Sequence, residues 1–423
     1  MVWWIAVSST ALPMETEGAR KGRNSNYVSV VRAAACGSPT THDGSIPHRL
    51  AFHVRNGHSY RQRRDPSARS MQGDVAVAPD ARGQSERLAR GAPSPCAPGL
   101  TPAHESMPMP RALALLLAAL LTAPLSACST PPRLVPGDGH LPVEGGTIFY
   151  RVEGEGTRIP VVVLHGGPGF TSHYLAPLAA LGDDRPVILY DQLGAGRSDR
   201  PTDTTLFRID RYVRELDSLR RALKLDRIHL YGHSWGSMLA LEYLATNPTG
   251  IVSVTLASPV ISTASWAADG ATLVATLPDS LQRIIAEHEA AGTTASPEYQ
   301  AATFEFLQRY VLGVPPPFPP EADSAMAGSN QVIYETMWGP SEFSPSGNLK
   351  DFDRSATLAA LNVPILFTAG RNDEATPATV ERFAQTARNA EVKIFEQSAH
   401  MAMLTERVAY VAVLRDFLRK HDP

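Results

Sequence analysis

Cysteine is scarce in this chain and is confined to its first third. The 423 residues contain three cysteines, Cys36, Cys96 and Cys128, so no later position holds one. Three cysteines at these distances supply neither a disulfide framework nor the ligand spacing of a metal site. The cysteine-free remainder suits an oxidising compartment without requiring one.

An excess of charge of either sign is also missing. The chain has 39 lysines and arginines against 42 acidic residues, which gives a formal net charge of −3. We therefore expect no strong electrostatic attraction to nucleic acid. A basic nucleic-acid-binding arm within residues 1–106 is the alternative, but its arginines are scattered and lack a pattern of interleaved aromatic residues.

Residues 1–106 lack a sustained hydrophobic period as well. Apolar runs there are short, and segments such as 61–67 and 91–95 are rich in Arg, Pro, Ser and Gly. Such segments cannot bury enough apolar surface to offset the entropy lost on folding. We expect residues 1–106 to be disordered, or not to be translated, because the following residues have the features of an N-terminus.

A short apolar run follows this region. Met107 and Met109 are candidate starts, Arg111 supplies a positive charge, and residues 112–121 are apolar but too short to span a bilayer comfortably. This order of regions is typical of a signal peptide. An ordinary signal peptide or a buried helix are both compatible with it.

The residues that end this segment are more specific. Leu125-Ser126-Ala127-Cys128 resembles the lipobox of bacterial lipoproteins. The resemblance implies that residues 107–127 are a signal peptide and that Cys128 carries the lipid. Residues 128–140 are polar and contain Pro and Gly, so we expect an anchor followed by a tether. The protein is thus expected on a membrane of the bacterial cell envelope.

The remaining residues predict an α/β fold. Strand patterns alternate with helical ones, which favours a mostly parallel sheet with helices on both faces. From about residue 261 the chain turns helical, and the sheet resumes near 363. We expect core segments at 141–262 and 355–423, separated by a helical cap at 263–354. An insertion at the carboxyl ends of the strands would lie over the crevice where such folds bind ligands.

Within this core, a Gly-x-Ser-x-Gly pattern joins a predicted strand to a predicted helix. The strand–turn–helix context is typical of a nucleophile elbow, with Ser234 at its apex. Gly232 and Gly236 have no Cβ to clash with the returning helix. The helix N-terminus favours developing negative charge. A glycine-rich turn with an idle serine is the alternative.

Two later residues can complete a catalytic triad with Ser234. Asp373 and His400 each come just after a predicted strand, so they should lie at the same sheet edge as the serine. The chain order Ser, Asp, His is that of α/β hydrolases. Other histidines fit less well: His233 would point elsewhere and His288 lies in a predicted helix.

Backbone donors for an oxyanion hole are also present. The N–H of Trp235, the residue after the serine, is one candidate. The other should come from the loop 165–169, His-Gly-Gly-Pro-Gly. Pro168 has no N–H, which leaves Gly166 or Gly167.

Together these motifs resemble the proline iminopeptidase and tricorn-interacting aminopeptidase family, the S33 serine peptidases. The resemblance covers most of 141–423 and includes the cap motif at 337–343, Met-Trp-Gly-Pro-Ser-Glu-Phe. It implies that Gly167 is the second oxyanion donor and that no metal or organic cofactor is needed. It also implies that Glu342 and Glu374, helped by Tyr334, bind the free amino terminus of the substrate. Two converging carboxylates suit a cationic amine, and we expect both to be ionised.

The resulting hypothesis is a serine aminopeptidase that removes an N-terminal residue, proline among the candidates, from short peptides. An esterase or amidase on the same fold is the alternative, because fold does not determine substrate. A non-catalytic envelope binding lipoprotein is a further alternative. Epoxide-hydrolase and dehalogenase chemistry needs an aspartate nucleophile, so serine at 234 argues against both.

Overall fold

A central sheet organises residues 134–423, which are the residues that this computed structural model describes. Its strand order is β1-β2-β4-β3-β5-β6-β7-β8. The pairs β1–β2 and β2–β4 are antiparallel, and the other neighbours are parallel. The strands are β1 (Gly137–Val143), β2 (Gly146–Glu153), β3 (Val161–Leu164), β4 (Val187–Asp191), β5 (Ile228–His233), β6 (Ile251–Ala257), β7 (Ile365–Gly370) and β8 (Ala390–Phe395).

Helices connect the strands and cover both faces of the sheet. Short 3-10 helices span Ser172–Leu181 and Thr204–Leu206. The α-helices are α1 (Ile209–Ala222), α2 (Trp235–Ala245), α3 (Thr263–Val274), α4 (Asp279–Ala291), α5 (Pro297–Leu307), α6 (Pro320–Ala327), α7 (Gln331–Met337), α8 (Ser355–Ala360), α9 (Pro377–Thr386), α10 (Ala402–Thr405) and α11 (Arg407–Lys420).

Alternating side chains of the central strands enter two separate cores. Val162 of β3 packs in the core that contains Leu216 of α1. Val163, the next residue, packs in the core that contains Leu414 of α11. Both faces are buried, which explains why β3 is apolar throughout. The predicted α/β fold with a mostly parallel sheet is confirmed.

The predicted helical insertion lies between β6 and β7, and its two ends meet. Ser262 and Asp353 form an isolated antiparallel bridge. Beside it, the Thr263 N–H donates to the Phe352 carbonyl at 2.9 Å. Helices α3 to α7 therefore leave and rejoin the sheet domain at a single point, which makes the insertion a cap on the core.

One helix of the cap differs from its prediction. The pattern at 298–311 predicts a single helix, but α5 ends at Leu307 and Gln308–Leu312 form a π-helical turn. The turn ends at Gly313, whose φ of 67° is left-handed. Such π turns occur frequently at functional sites.

The folded part also begins earlier than predicted. The expected tether at 128–140 overlaps β1, which pairs with β2 from Gly137 onward. The strand was missed because its sequence contains two glycines, an aspartate and a proline, all disfavoured in strands. As an edge strand it tolerates Pro142. The start of the core at 141 is therefore corrected to 137 or earlier.

The other predictions for the first third concern residues that the structure does not describe. The disordered or untranslated segment 1–106, the signal peptide 107–127 and the lipidation of Cys128 all lie outside residues 134–423. Within residues 134–423, no helix is both long and apolar enough to cross a bilayer.

Candidate active site

Ser234 occupies a strained turn between β5 and α2. Its φ of 55° and ψ of −122° are rare for a residue with a side chain. The neighbours enforce this geometry: a Cβ on Gly232 would lie 2.3 Å from the Gly236 oxygen, and one on Gly236 would lie 2.3 Å from the Leu164 oxygen. Such strain persists only where the surroundings hold it, and it is concentrated at active sites. The turn is thus a nucleophile elbow in geometry.

Asp373 and His400 meet at the same edge of the sheet. Asp373 Oδ1 lies 2.7 Å from His400 Nδ1 and accepts the Ala375 N–H at 2.8 Å. The other oxygen, Oδ2, accepts the Gly370 N–H at 3.1 Å and the Ser258 hydroxyl at 2.6 Å. These bonds fix the carboxylate, which in turn orients the imidazole with Nε2 toward the cavity.

Ser258 is a residue that the sequence reasoning missed. It follows β6 with a φ of 45°. Besides bonding to Asp373, its hydroxyl lies 3.1 Å from the His400 carbonyl oxygen. Its position could have indicated this role, because Ser258 is a polar residue that directly follows β6, the strand next to β5.

Ser234 and His400 line one cavity, but the contact between them is not made. Within the described part of the chain, the Ser234 hydroxyl has no hydrogen-bond partner. His400 Nε2 instead lies 3.6 Å from Glu374 Oε1. Hydrogen bonds of this kind are often long before substrate binds. The structure thus brings the three predicted triad residues together and leaves the last bond open.

The backbone donors can now be distinguished. The Gly166 N–H donates to the Tyr174 hydroxyl at 2.7 Å and is therefore engaged. The Gly167 N–H has no acceptor among residues 134–423, and Gly167 lines the cavity with a φ of 119°. The Trp235 N–H opens α2 and has no intrahelical partner. The geometry favours Gly167 and Trp235 as the donors to an oxyanion.

The predicted amine ligands lie under the cap and line the same cavity, which encloses about 1020 Å³ including space open to solvent. The Tyr334 hydroxyl donates to the Glu342 carboxylate. Burial raises the pKa of Glu342. Burial also keeps Tyr334 protonated, since it raises the pKa of that phenol well above its usual value. Tyr334 therefore acts as a donor that orients Glu342.

Glu374 is a buried carboxyl group of the cavity with one unsatisfied oxygen. It is 7% exposed, and its Oε2 has no hydrogen-bond partner within the described residues. Burial raises its pKa well above the ordinary range, and the carboxylates of Glu342 and Asp373 raise it further. The expectation that both glutamates are ionised when they face a bound amine stays a prediction; burial and the neighbouring carboxylates by themselves favour the protonated form of Glu374.

The cap also holds the loops that carry these residues. The carbonyl of Tyr310, in the π-helical turn, accepts the N–H groups of both Glu374 and His400 at 3.2 Å. Trp266 of α3 packs edge-on against His400, with ring centroids 5.8 Å apart. The base and the buried carboxylate are thus both positioned by the inserted helices.

Comparison with known proteins identifies the family of this chain. A family model described as alpha/beta hydrolase fold matches residues 159–407, more than half of the chain. A proline iminopeptidase of Heyndrickxia coagulans is 45% identical over 284 residues, 66% of this chain and 98% of the relative. The chain belongs to the proline iminopeptidase family of α/β hydrolases. It is a serine hydrolase of the aminopeptidase type.

Two solved structures are similar to the same part of the chain. The crystal structure of a proline iminopeptidase from Mycobacterium smegmatis is 34% identical, with a TM-score of 0.62, and is matched over 99% of its length and 68% of this chain. The structure of VinJ is 33% identical, with a TM-score of 0.64, over 100% of its length and 68% of this chain. Proline iminopeptidase relatives thus match the chain over nearly their whole length.

The nucleophile assignment is tested by substitution. Ser234→Ala should abolish turnover and labelling by a fluorophosphonate probe, while circular dichroism shows an intact fold because alanine is smaller than serine. His400→Ala should lower turnover nearly as far, because triad losses are not additive. A Ser234→Ala enzyme that keeps more than a few per cent of the rate would contradict the assignment.

The raised pKa of Glu374 has a consequence for stability. Because its folded-state pKa lies above the ordinary 4.5, the folded protein binds more protons than the unfolded chain between these two values. Wild-type stability should therefore decrease as pH rises through this window, and Glu374→Gln should remove that decrease. The melting temperature of Glu374→Gln relative to wild type should therefore rise as the pH increases above the ordinary carboxyl value of 4.5.

The matched control is Glu335→Gln, a change at an exposed glutamate of the cap. Its melting temperature relative to wild type should stay constant over the same pH range. A Glu374→Gln difference that is equally independent of pH would show that Glu374 is not a buried, protonated acid.

Proposed function

We propose that this protein is a serine aminopeptidase that releases the N-terminal residue, proline among its substrates, from short peptides. One observation carries the proposal: Ser234 and His400 line the same cavity as Glu342 and Glu374, and Asp373 contacts His400 beside that cavity. Glu374 Oε1 lies only 3.6 Å from His400 Nε2, so an amine bound by Glu374 would lie next to the base, as the amine of a peptide's first residue requires.

The chemistry follows from the site. Ser234 Oγ attacks the carbonyl carbon of the first residue, and His400 Nε2 takes the hydroxyl proton while Asp373 stabilises the imidazolium. The carbonyl oxygen becomes an oxyanion facing the N–H groups of Gly167 and Trp235. The C–N bond then breaks, and His400 gives its proton to the leaving amine. Water attacks the ester with His400 as base, which releases the amino acid and restores Ser234.

The glutamates give a reason for requiring a free N-terminus. A cationic amine would supply the positive charge that the buried carboxylates lack, and Glu374 Oε2 would gain the partner that it is missing. Binding would then favour loss of the Glu374 proton, since a nearby cation lowers the pKa of a carboxyl group.

The preference for proline is supported by the relatives, which are named proline iminopeptidases. The walls near the glutamates are apolar and aromatic: Trp266 and Trp338 both line the cavity, with ring centroids 6.3 Å apart. Apolar walls with a few placed polar groups suit a compact ring that carries a charged nitrogen.

Two alternatives use the same residues differently. An esterase or amidase would use Ser234, Asp373 and His400 without requiring a charged amine. A binding lipoprotein would not turn over substrate at all. The buried, unpartnered Glu374 favours the aminopeptidase, because such a group without a cationic ligand costs stability.

A pair of substrates tests the proposal. The enzyme should cleave a free prolyl arylamide and nearly ignore the N-acetyl form, because acetylation removes the charge and leaves buried carboxylates unpaired. Stranding such a charge costs about 2 to 5 kcal/mol, which corresponds to roughly thirty-fold to several thousand-fold in kcat/KM.

Substitutions test which groups distinguish the free amine from the acetylated one. Glu342→Gln and Glu374→Gln should each lower kcat/KM for the free substrate and narrow its ratio to the acetylated one, whereas the exposed Glu335→Gln should change neither. Equal rates of the wild-type enzyme on both substrates would remove the aminopeptidase proposal and leave the esterase or amidase.

We also propose that the enzyme is anchored to a membrane of the bacterial cell envelope. The support is the sequence Leu125-Ser126-Ala127-Cys128 after the apolar run at 112–121, with Cys128 as the lipidated residue. The peptides that it meets would then be those of the envelope.

The anchor is tested at Cys128. In a bacterial host that processes lipoproteins, wild type should fractionate with membranes, and Cys128→Ser should be soluble or unprocessed. Mass spectrometry of the mature N-terminus should find a lipid on residue 128. A mature chain that begins near Met1, or an unmodified residue 128, would contradict the proposal.

A further inference from the structure

A chain of buried hydrogen bonds crosses the active site behind Ser234. The Gly166 N–H donates to the Tyr174 hydroxyl at 2.7 Å, and this hydroxyl lies 2.8 Å from His233 Nδ1. His233 Nε2 in turn lies 2.9 Å from the His400 carbonyl oxygen. We call Tyr174 and His233 the bridge, since they join the oxyanion loop to the main chain of the base.

The direction of these bonds follows from their ends. Gly166 can only donate and the His400 carbonyl can only accept. His233 must therefore carry its proton on Nε2, and its Nδ1 accepts the Tyr174 O–H. Burial and the neighbouring His400 lower the pKa of His233 well below its ordinary value, which keeps this neutral form. Every donor in the bridge thus has an acceptor.

The bridge is tightly enclosed. Tyr174 is 0% and His233 is 1% exposed, and their rings are 5.2 Å apart. A Cβ on Gly166 would lie 2.9 Å from the Tyr174 hydroxyl and 3.1 Å from the Ser234 Cβ. Because His233 immediately precedes Ser234, a shift of the bridge would move the elbow, the oxyanion loop and the base together.

We propose that Tyr174 and His233 are positioning residues for acyl transfer: they set the distance between the Gly167 oxyanion donor and the base His400 across Ser234. Neither side chain acts on substrate directly. The inference rests on the proposed serine chemistry but not on amine recognition. It also explains why Gly166, whose N–H is held by the bridge, leaves the oxyanion role to Gly167.

Removing the Tyr174 hydroxyl tests the bridge. In Tyr174→Phe, kcat per active site should fall roughly 10- to 100-fold with KM little changed, because small displacements of reacting groups cost up to about that much. Active sites are counted by fluorophosphonate titration, so unfolded protein does not lower the value. The second-order rate of labelling, which needs Ser234, the base and the oxyanion hole but no amine, should fall by a similar factor.

The matched control is Tyr410→Phe. Its hydroxyl is buried as well and bonds to Tyr231 at 2.7 Å and to Thr368 at 3.1 Å, outside the bridge. It should lower the melting temperature as Tyr174→Phe does and leave kcat per active site and the labelling rate unchanged. A purely structural role for Tyr174 predicts the same behaviour for both variants, and that result would overturn the proposal.

A second variant tests the other bond of the bridge, between His233 and the His400 carbonyl. His233→Asn keeps an acceptor for Tyr174 but loses the donor to the His400 carbonyl, and its kcat per site should fall in the same range. The double variant should lose no more than the worse single one, since both break one chain. Losses that multiply in the double variant would overturn the proposal. A His233→Asn enzyme whose kcat per active site is unchanged, like that of Tyr410→Phe, would also overturn it, and this outcome does not require Tyr174→Phe to fold.

The labelling rate separates this inference from the proposed function. A wild-type protein that is labelled but does not cleave free aminoacyl arylamides would refute amine recognition. The labelling rates of Tyr174→Phe, His233→Asn and Tyr410→Phe would then still test the bridge. A wild-type protein that resists the label would refute the serine chemistry and the bridge with it.

Discussion

The strained backbone at Ser234 is the constraint on which the site depends. A left-handed φ at a residue with a side chain is held here by β5, by α2 and by two glycines that let backbone approach backbone. The parallel strands β6, β7 and β8 end at the same sheet edge, so Ser258, Asp373 and His400, which follow them in turn, lie beside the elbow. Strain at one residue is thus stabilised by the packing of the whole sheet.

The second organising feature is an imbalance of charge. Three carboxylates, those of Glu342, Asp373 and Glu374, lie close together under the cap, and their burial raises the pKa of Glu374. Asp373 is fully hydrogen-bonded, whereas Glu374 leaves one oxygen unpartnered. The cavity is therefore incomplete by itself, and a ligand with a positive charge next to a carbonyl group would complete it.

Much of this arrangement follows from sequence, because motifs at strand ends and the order Ser234, Asp373, His400 depend on topology alone. The missed features have physical reasons. β1 is an edge strand and lacks the usual composition of a strand. The π-helical turn at 308–312 continues the helical sequence pattern that precedes it. The role of Ser258 depends on Asp373, which lies 115 residues further along the chain. His233 was expected to point away from the site, yet its ring reaches the carbonyl of the base. The raised pKa of Glu374 depends on burial, which sequence does not give.

The cap enters and leaves the core at one bridge, Ser262 to Asp353, which is an arrangement that tolerates exchange of everything between. Yet the Tyr310 carbonyl lies within that insertion and accepts the N–H groups of Glu374 and His400. A chimaera that grafts a foreign cap onto this core would close the chain without difficulty and still misplace the base, unless the new cap returned an acceptor to that point. Exchange of the cap is therefore constrained by the contacts that it makes with the base and with Glu374, and the Tyr310 carbonyl oxygen is one of them.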